Sequence, residues 1–530
     1  MVGSGASGVH FALSVLRKRY EVVMVDVART PPGMSEAESF TDLKTRLDDP
    51  VRFFLGERYE GVVLPQTTGE YYGFPPNQTY VFEPPPEFQF RARGFAPLFS
   101  FAQGGLAQTW TGGVYPLNDD ELRDLPFRYE DLKPYYDEVA ARIGVSGAMD
   151  DLAPYFPRHD HLAEPLRLDR HGQLLITEYE KRREEFATRL RCRLGRSRVA
   201  VLTEDRDGRT ACAYLGRCLW GCPRDALYTP SITLAECRQY PNFTYVPGQY
   251  VSHLRANPRG RIVSAVATSV GTGVRRDIGA DRFILAAGTL CSSHIYLRSI
   301  LELTGETVTL SGLMDNRQIL VPFLNTRLIG RTSEPDNYQY HQLAMGIEGA
   351  TPTEYVHGQI TTLKGALVHP IVHNVPLDLR SALALFRAVR AGLGVVNINL
   401  HDTRRADNYV TLERAAGDGP SRLVIHYEPA GGEPASIRHA VRTVKRALWK
   451  LGCIVPPGLT HVRPMGASVH YAGTLPMSAG EGPHRVSRAC RSDAFENLYI
   501  VDGATMPFLP AKNLTFTLMA NAVRVAAEAF

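Results

Sequence analysis

The sequence predicts an α/β protein in two parts: a Rossmann-like domain on a parallel sheet, and an α+β domain with a mostly antiparallel sheet. Three observations predict it. Gly3, Gly5 and Gly8 stand in Gly-x-Gly-x-x-Gly spacing and open a helical stretch that leads into an apolar strand at 20–26. A second apolar strand, 281–288, ends in the small residues Ala286, Ala287 and Gly288 and runs into another helix. Between about 316 and 428, several short runs alternate apolar and polar residues, the period of half-buried strands.

The first element is the most informative. Its glycines permit a tight turn and the close approach of a pyrophosphate to the positive end of the helix, which runs to about residue 19. Asp26 closes the strand eighteen residues after Gly8, where a carboxylate accepts hydrogen bonds from ribose hydroxyls. A strand should precede Gly3, yet only Met1 and Val2 stand there. That innermost strand is expected to be stunted, and native residues are expected upstream.

Residues 65–105 are rich in Pro, Phe and Tyr without periodicity and read as an ordered loop region, ending in the run Gly104 to Gly113. Residues 119–186 read as helical, most clearly at 131–142. Cys212, Cys218 and Cys222 fall in a turn-rich segment, 211–230. Strands are expected at 242–247, 250–255 and 262–270. Others follow at 318–328, 338–347, 393–400, 409–413 and 423–427, with helices at 378–392 and 436–451. The last segment carries His470, Asp502 and Asn513 and closes with a helix to 530.

Composition narrows the partners. Over 530 residues, 59 Lys and Arg against 55 Asp and Glu leave a net charge of only +4, too little to argue for nucleic acid or an anionic membrane as the main partner. No stretch reaches about 18 apolar residues without a charge, so no membrane span is expected. The chain starts on the glycine turn and not on a signal peptide, and its eight cysteines are scattered. Reduced thiols and a cytoplasmic location are therefore expected.

Four motifs, in order and spacing, resemble the glucose–methanol–choline (GMC) oxidoreductases, FAD-dependent enzymes that oxidise alcohols. They are the Gly3/Gly5/Gly8 turn with Asp26, the loop Gly104-Gly105-Leu106 with Trp110, the strand–turn from Ile284 to Thr289, and the C-terminal block. That block, with His470 in 468–474, Asp502-Gly503 and Asn513 in 513–520, is the most specific of the four. The resemblance implies that FAD is held by Gly3, Gly5, Ala6, Ser7, Gly8, Asp26, Gly104, Gly105, Leu106, Trp110, Val251, Ala287, Gly288, Asp502, Gly503 and Thr515. It implies an FAD-binding domain built from 1–120, 195–315 and 455–530, and a substrate-binding domain from 121–194 and 316–454. The 104–111 loop is most similar to those of pyranose oxidases and bacterial C-glycoside oxidases. Those often carry, before the Trp, a His bonded covalently to the flavin; Thr109 stands here and cannot form that bond, so FAD is expected to be non-covalent. The loop and the segment 218–223 also resemble members encoded with polysaccharide biosynthesis genes. A sugar or glycoside alcohol is the substrate these likenesses imply.

Alcohol oxidation by a flavin needs a base for the hydroxyl proton. His470 suits it, since an imidazole titrates near operating pH. Asn513 resembles the second member of the family's catalytic pair and holds the substrate oxygen; as a poor base it leaves proton abstraction to His470. The structural alternative for Asn513 is a helix N-cap. Asp502 is expected to accept backbone or ribityl hydrogen bonds. The spacing of Cys212, Cys218 and Cys222 fits no zinc pattern, so no metal is expected. The basic amphipathic helix at 378–392 is expected to pack on the sheet, with a membrane-surface role as the alternative. The competing functions are a GMC dehydrogenase for a steroid or long-chain alcohol passing electrons to a quinone or protein, and a flavin-binding scaffold without catalysis. For an oxidising enzyme the acceptor is oxygen, a quinone or a redox protein.

Overall fold

The computed structural model describes residues 1–31, 46–57, 59, 61, 70, 74–334, 336–363, 372, 375–414, 421–478 and 483–530. Its parallel sheet is built around the glycine turn. Strand Val22–Val25 pairs with Phe243–Val246 on one side, and Phe283–Leu285 pairs with Leu498–Ile500, both in parallel. Val2 joins the two pairs, forming parallel bridges to Val25 and to Leu285. The stunted innermost strand is thus a single bridging residue, tied by its N–H to Ile284 O and by its carbonyl to Ala286 N–H, each at 2.9 Å. Short apolar strands suit this position because helices cover them. Helix Ala6–Arg17 packs against Thr515–Ala529 and against Pro230–Cys237.

Three larger sheets accompany it, two of them antiparallel and the four-stranded one mixed. Gln249–Ala256, Ile262–Ser269 and Arg275–Gly279 form one, backed by helix Thr289–Thr304. Arg275–Gly279 was not expected as a strand; nearly all of it faces solvent, so it lacks an apolar face to read. A second, four-stranded sheet has the order Thr309–Ser311, Tyr409–Glu413, Arg422–His426, Phe90–Arg93. The third has seven strands. Cys192–Arg196, Leu343–Ile347, Val356–Thr362, Leu393–Asn399 and Gln318–Asn325 lie in sequence across it, and Cys453–Ile454 and His461–Val462 both pair with Gln318–Asn325.

The alternating runs after residue 316 therefore divide between two sheets. The 409–413 strand pairs with 422–426, which pairs in turn with residues 90–93 from the proline-rich region, and Val410, Leu412, Leu423 and Ile425 join the core cluster of the glycine turn. Helix Tyr129–Ile143 packs in that cluster too, against Thr515–Ala529. The helical expectation for 119–186 holds at Tyr129–Ile143 and Arg170–Glu180. It fails between them, where Val145–Ser146 and Leu162–Ala163 form a short parallel pair. Helix Leu379–Val389 is capped by Asp378 and buries Ala382 and Phe386 against Val372 and Leu393. Much of 65–73 lies outside the described residues. Among the described residues, no helix is long and apolar enough to cross a membrane.

Candidate active site

The glycine turn shapes one wall of a cavity. At Gly3, φ is +99° and an added Cβ would meet Ala286 O at 2.5 Å; at Gly8 it would lie 2.3 Å from Gly3 O. These two glycines let the turn press against the 283–286 strand end. Gly5 differs: its φ of −64° is ordinary, and the nearest atom to an added Cβ is 3.9 Å away. The space above it is the cavity, at the N-terminus of a helix that has no side-chain cap. This is a cradle that fits a pyrophosphate. Asp26 sits beside it, accepting from Ser4 N–H at 2.9 Å, from the Ser4 hydroxyl, and from Ala28 N–H at 3.2 Å. Burial pushes its carboxyl up to about 6.

The cavity gathers all but two of the residues expected to hold FAD. Gly3, Gly5, Ala6, Ser7 and Asp26 line it with Gly104, Gly105, Leu106, Val251, Ala287, Gly288, Asp502, Gly503 and Thr515. Gly8 lies behind the turn, packed on Gly3. Trp110 turns away, and its placement corrects the expectation. The left-handed Gly104 and Gly105 start a tight 3-10 turn, Gly105–Gln108, after which Trp110 points back to donate to Tyr228 O at 2.7 Å. With Thr109 it lines a separate, smaller cavity that includes Cys218 and Cys222.

Asp502 is ringed by hydrogen-bond donors. It accepts from Gly288 N–H at 3.0 Å, from Ala504 N–H at 3.1 Å and from the Ser292 hydroxyl. Burial still raises its carboxyl to about 6.

His470 lies between Val469 and Tyr471, which both line the cavity. Val469 has φ 59°, a left-handed conformation that is strained for a β-branched residue and typical of functional sites. Three contacts fix the His470 ring and backbone. Its N–H donates to Ser468 Oγ at 3.0 Å, Nδ1 lies 2.9 Å from Asn316 Oδ1, and Nε2 lies 3.2 Å from Asn513 Nδ2. The tautomer follows from Asn316. Its Nδ2 donates to Leu400 O at 2.8 Å and Pro510 O at 2.9 Å, which turns Oδ1 toward the ring. Nδ1 must then carry the hydrogen, and Nε2 keeps its lone pair. Burial holds the ring down at about 4, so it is neutral. Ser468 in turn donates to Asp315, which also accepts from Gly466 N–H at 2.6 Å.

Asn513 is not an N-cap. Helix Thr515–Ala529 has Leu514 at that position with no side-chain cap, and Asn513 spends its oxygen on Gln359 Nε2 at 2.7 Å. The turn is anchored by Lys512, fully buried, which pairs with Glu121 at 2.6 Å and donates to Pro116 O at 3.0 Å. Burial lowers the Lys512 ammonium and raises the Glu121 carboxyl. Sequence reading missed Asn316 and Gln359; Gln359 reaches the site through strand register, and Asn316 through a loop tied to Leu400 O and Pro510 O, neither of which leaves a local signal. All eight cysteines are unpaired, and among the described residues no group of three or more His, Cys, Asp and Glu is placed to hold a metal.

Residues 404–522 match the GMC oxidoreductase family. The chain is 25% identical to paromamine 6'-oxidase of Streptomyces fradiae, over 99% of this chain and 90% of that protein. It is 24% identical to C-glycoside 3-oxidase of Microbacterium trichothecenolyticum, over 99% and 94%. Its fold matches the crystal structure of a pyridoxine 4-oxidase from Mesorbium loti with a TM-score of 0.61, at 15% identity, over 99% of this chain and 98% of that one.

Proposed function

The chain carries a GMC oxidoreductase domain over residues 404–522, and from that premise we propose that it is an FAD-dependent enzyme oxidising a CH–OH group of a sugar or glycoside, with His470 as the base. The observation that carries this reading is the His470–Asn513 pair: a neutral imidazole whose Nε2 lone pair lies beside an amide, at the edge of the cavity that gathers the FAD-type residues.

Each residue then has a task. The glycine turn admits the pyrophosphate at the start of helix Ala6–Arg17, and Asp26 receives ribose hydroxyls. Asp502 holds the 288 and 504 backbone in place beside it. Bound FAD supplies the hydride-accepting N5 of its ring. Asn513 orients the substrate oxygen, and His470 Nε2 takes the hydroxyl proton, leaving an imidazolium held by Asn316 through Nδ1–H. The sugar assignment is supported by the likeness to a C-glycoside 3-oxidase and a paromamine 6'-oxidase. FAD is non-covalent on this reading, because Thr109 offers no ring nitrogen to bond it. The FAD-holding part takes in 1–120, 195–315 and 455–530, with substrate recognition carried by the seven-stranded sheet. The unpaired cysteines support a reducing, cytoplasmic setting.

The test is anaerobic bleaching of the purified yellow protein against a panel of sugars, glycosides and simple alcohols. Reoxidation in air, by quinones or by redox proteins then identifies the electron acceptor. Acid precipitation should release the FAD into the supernatant; flavin retained in the pellet would contradict the non-covalent assignment.

A further inference from the structure

The seven-stranded sheet has an apolar face, packed under helices Arg170–Glu180 and Glu433–Lys450 through Ile319, Val321, Ile360, Val396 and Ile398. Its other face is polar at one end, where Gln318, His357, Gln359, Asn397 and Asn399 lie, and apolar at Leu320, Pro322 and Val395. Antiparallel sheets ordinarily give such a face to water; this one is turned onto the His470–Asn513 pair. His357 and Gln359 are two residues apart on one strand and point the same way. Asn399 and Asn397 stand directly opposite them on the next strand. The direction is fixed by Gln359, whose amide reaches Asn513 at 2.7 Å. His341 joins them, since an added Cβ at Gly113 would lie 3.2 Å from both His341 Nε2 and Gln359 Nε2.

This face holds more hydrogen-bonding atoms than the protein satisfies. His357 spends Nδ1 on the Tyr355 hydroxyl at 2.9 Å, and Asn399 spends its oxygen on Gln318 at 2.9 Å. The Nε2 atoms of His341 and His357, the oxygen of Asn397 and the nitrogen of Asn399 have no partner among the described residues. His341, His357 and Asn399 are at most 2% exposed. Buried polar groups are nearly always paired, so these call for a polar occupant. They are also uncharged: burial holds His341 at about 4 and His357 well below the usual histidine value. On the strands Gln318–Asn325, Val356–Thr362 and Leu393–Asn399 this face carries no carboxylate and no ammonium. Asp150 lies over Gly195 at the sheet's edge, but its oxygens accept the N–H groups of Leu152 and Arg196.

Resting on His470 as the base for a sugar-type alcohol, we infer that this face receives the substrate's other hydroxyls, and that it selects an uncharged polyol ring over an amino sugar and over an aliphatic alcohol. A hydroxyl both donates and accepts, so a ring of hydroxyls meets imidazole, amide oxygen and amide nitrogen alike. An ammonium would be desolvated there with no counter-charge. An alkyl chain would leave every orphan atom unpaired, the condition under which polar sites reject analogues most strongly.

The experiment uses the holoenzyme with methyl β-D-glucopyranoside, glucosamine and 1-octanol, read by anaerobic flavin bleaching and by the thermal shift each probe produces. The glucoside should bleach the flavin and raise the apparent Tm, glucosamine should show a KM at least about tenfold higher, and octanol should do neither. His341→Leu and Asn397→Leu should each raise the glucoside KM about tenfold with kcat little changed. The same variants should keep or raise the apparent Tm without substrate, because each removes an unpaired polar atom. Equal use of glucosamine and glucoside would overturn the inference while leaving the sugar reading intact. So would a lowered Tm with an unchanged KM, the signature of groups that serve only the fold. Bleaching by octanol alone, or by none of the three, would sink the sugar reading itself and the inference with it.

Discussion

Burial decides what His470 can do. Its ring is held at about 4, so the imidazole is neutral and able to take a proton across the ordinary working range. Flavin reduction followed by stopped flow should therefore stay level from about pH 6 upward and fall only toward pH 4, with no inflection near the ordinary histidine value of about 6.5. His470→Ala should keep FAD and slow reduction by about 10²–10⁴-fold. That loss should shrink at high pH, where hydroxide partly replaces the base. Asn513→Ala should lose less and show no such recovery, because it removes orientation and not a proton acceptor; Asn513→His should retain measurable activity. Asn316 acts through His470. Its oxygen, turned by two backbone carbonyls, keeps the hydrogen on Nδ1. Asn316→Leu removes one neutral hydrogen bond, worth about 1 kcal/mol, and should slow reduction about fivefold. It should leave FAD bound and shift the acid limb of the pH profile, which a purely structural role would not move. A rate for His470→Ala close to that of the parent throughout would remove it from the mechanism.

The three glycines of the turn look alike as a motif and differ as an element. Gly8 packs against Gly3 O and Gly3 against Ala286, whereas Gly5 faces open space in an ordinary conformation. Gly5→Ala should fold with an unchanged apparent Tm in the FAD-free state and bind FAD more weakly, since its methyl group enters the pyrophosphate space. Gly8→Ala should lower the FAD-free Tm, because the turn itself must move. Equal Tm losses in the two would assign both glycines to packing. This turn, the 284–289 strand end and the C-terminal block were legible in the sequence because spacing within a few residues dictates each of them. Trp110 was legible as part of its loop but not in its orientation, which the two left-handed glycines reverse. The Val356–Thr362 strand was missed altogether. Its His357, Gln359 and Thr361 serve a polar face turned inward, and Gly358 interrupts the apolar side, so the usual contrast between core and solvent is absent. Phe90–Arg93 could not be matched to 422–426 from either segment alone, because pairing over that separation depends on the assembled fold.

At the scale of the whole molecule, the interior holds many titratable groups away from their preferred charge state. Among the described residues, nine histidines have lowered values, namely His10, His159, His253, His294, His341, His357, His401, His470 and His484. Six carboxyls, of Asp26, Glu121, Asp150, Asp225, Asp315 and Asp502, have raised ones. Burial is the first cause in every case. The two sets act on stability in opposite directions. An unfolded histidine gains its proton near 6.5, but a buried one, as at His159, His253, His341 and His470, waits until about 4, so between those values the unfolded chain holds more protons and stability falls as pH falls. A carboxyl raised to about 6 or 7, as at Asp26, Asp502 and Asp315, is protonated in the folded chain and ionised in the unfolded one over the same window, so its effect runs the other way. The histidines outnumber the carboxyls, and the net effect follows them. The apparent Tm of the FAD-free protein should therefore drop as pH is lowered from about 7 to about 5, with net proton uptake on unfolding in that range. FAD should raise the Tm at every pH, since it binds only the folded chain, but should not remove the slope, because most of these histidines lie outside its cavity. Of the nine, His294 lines that cavity and His470 stands beside it, next to Val469 and Tyr471. Replacing a remote one, His159→Phe, removes a ring held at about 4 beside Phe516 and should flatten the acid slope without changing the Tm ranking at neutral pH. Scanning calorimetry with titration of released or absorbed protons measures both quantities. A Tm that rises toward pH 5 would mean that the buried carboxyls, and not the histidines, govern the acid stability of the fold.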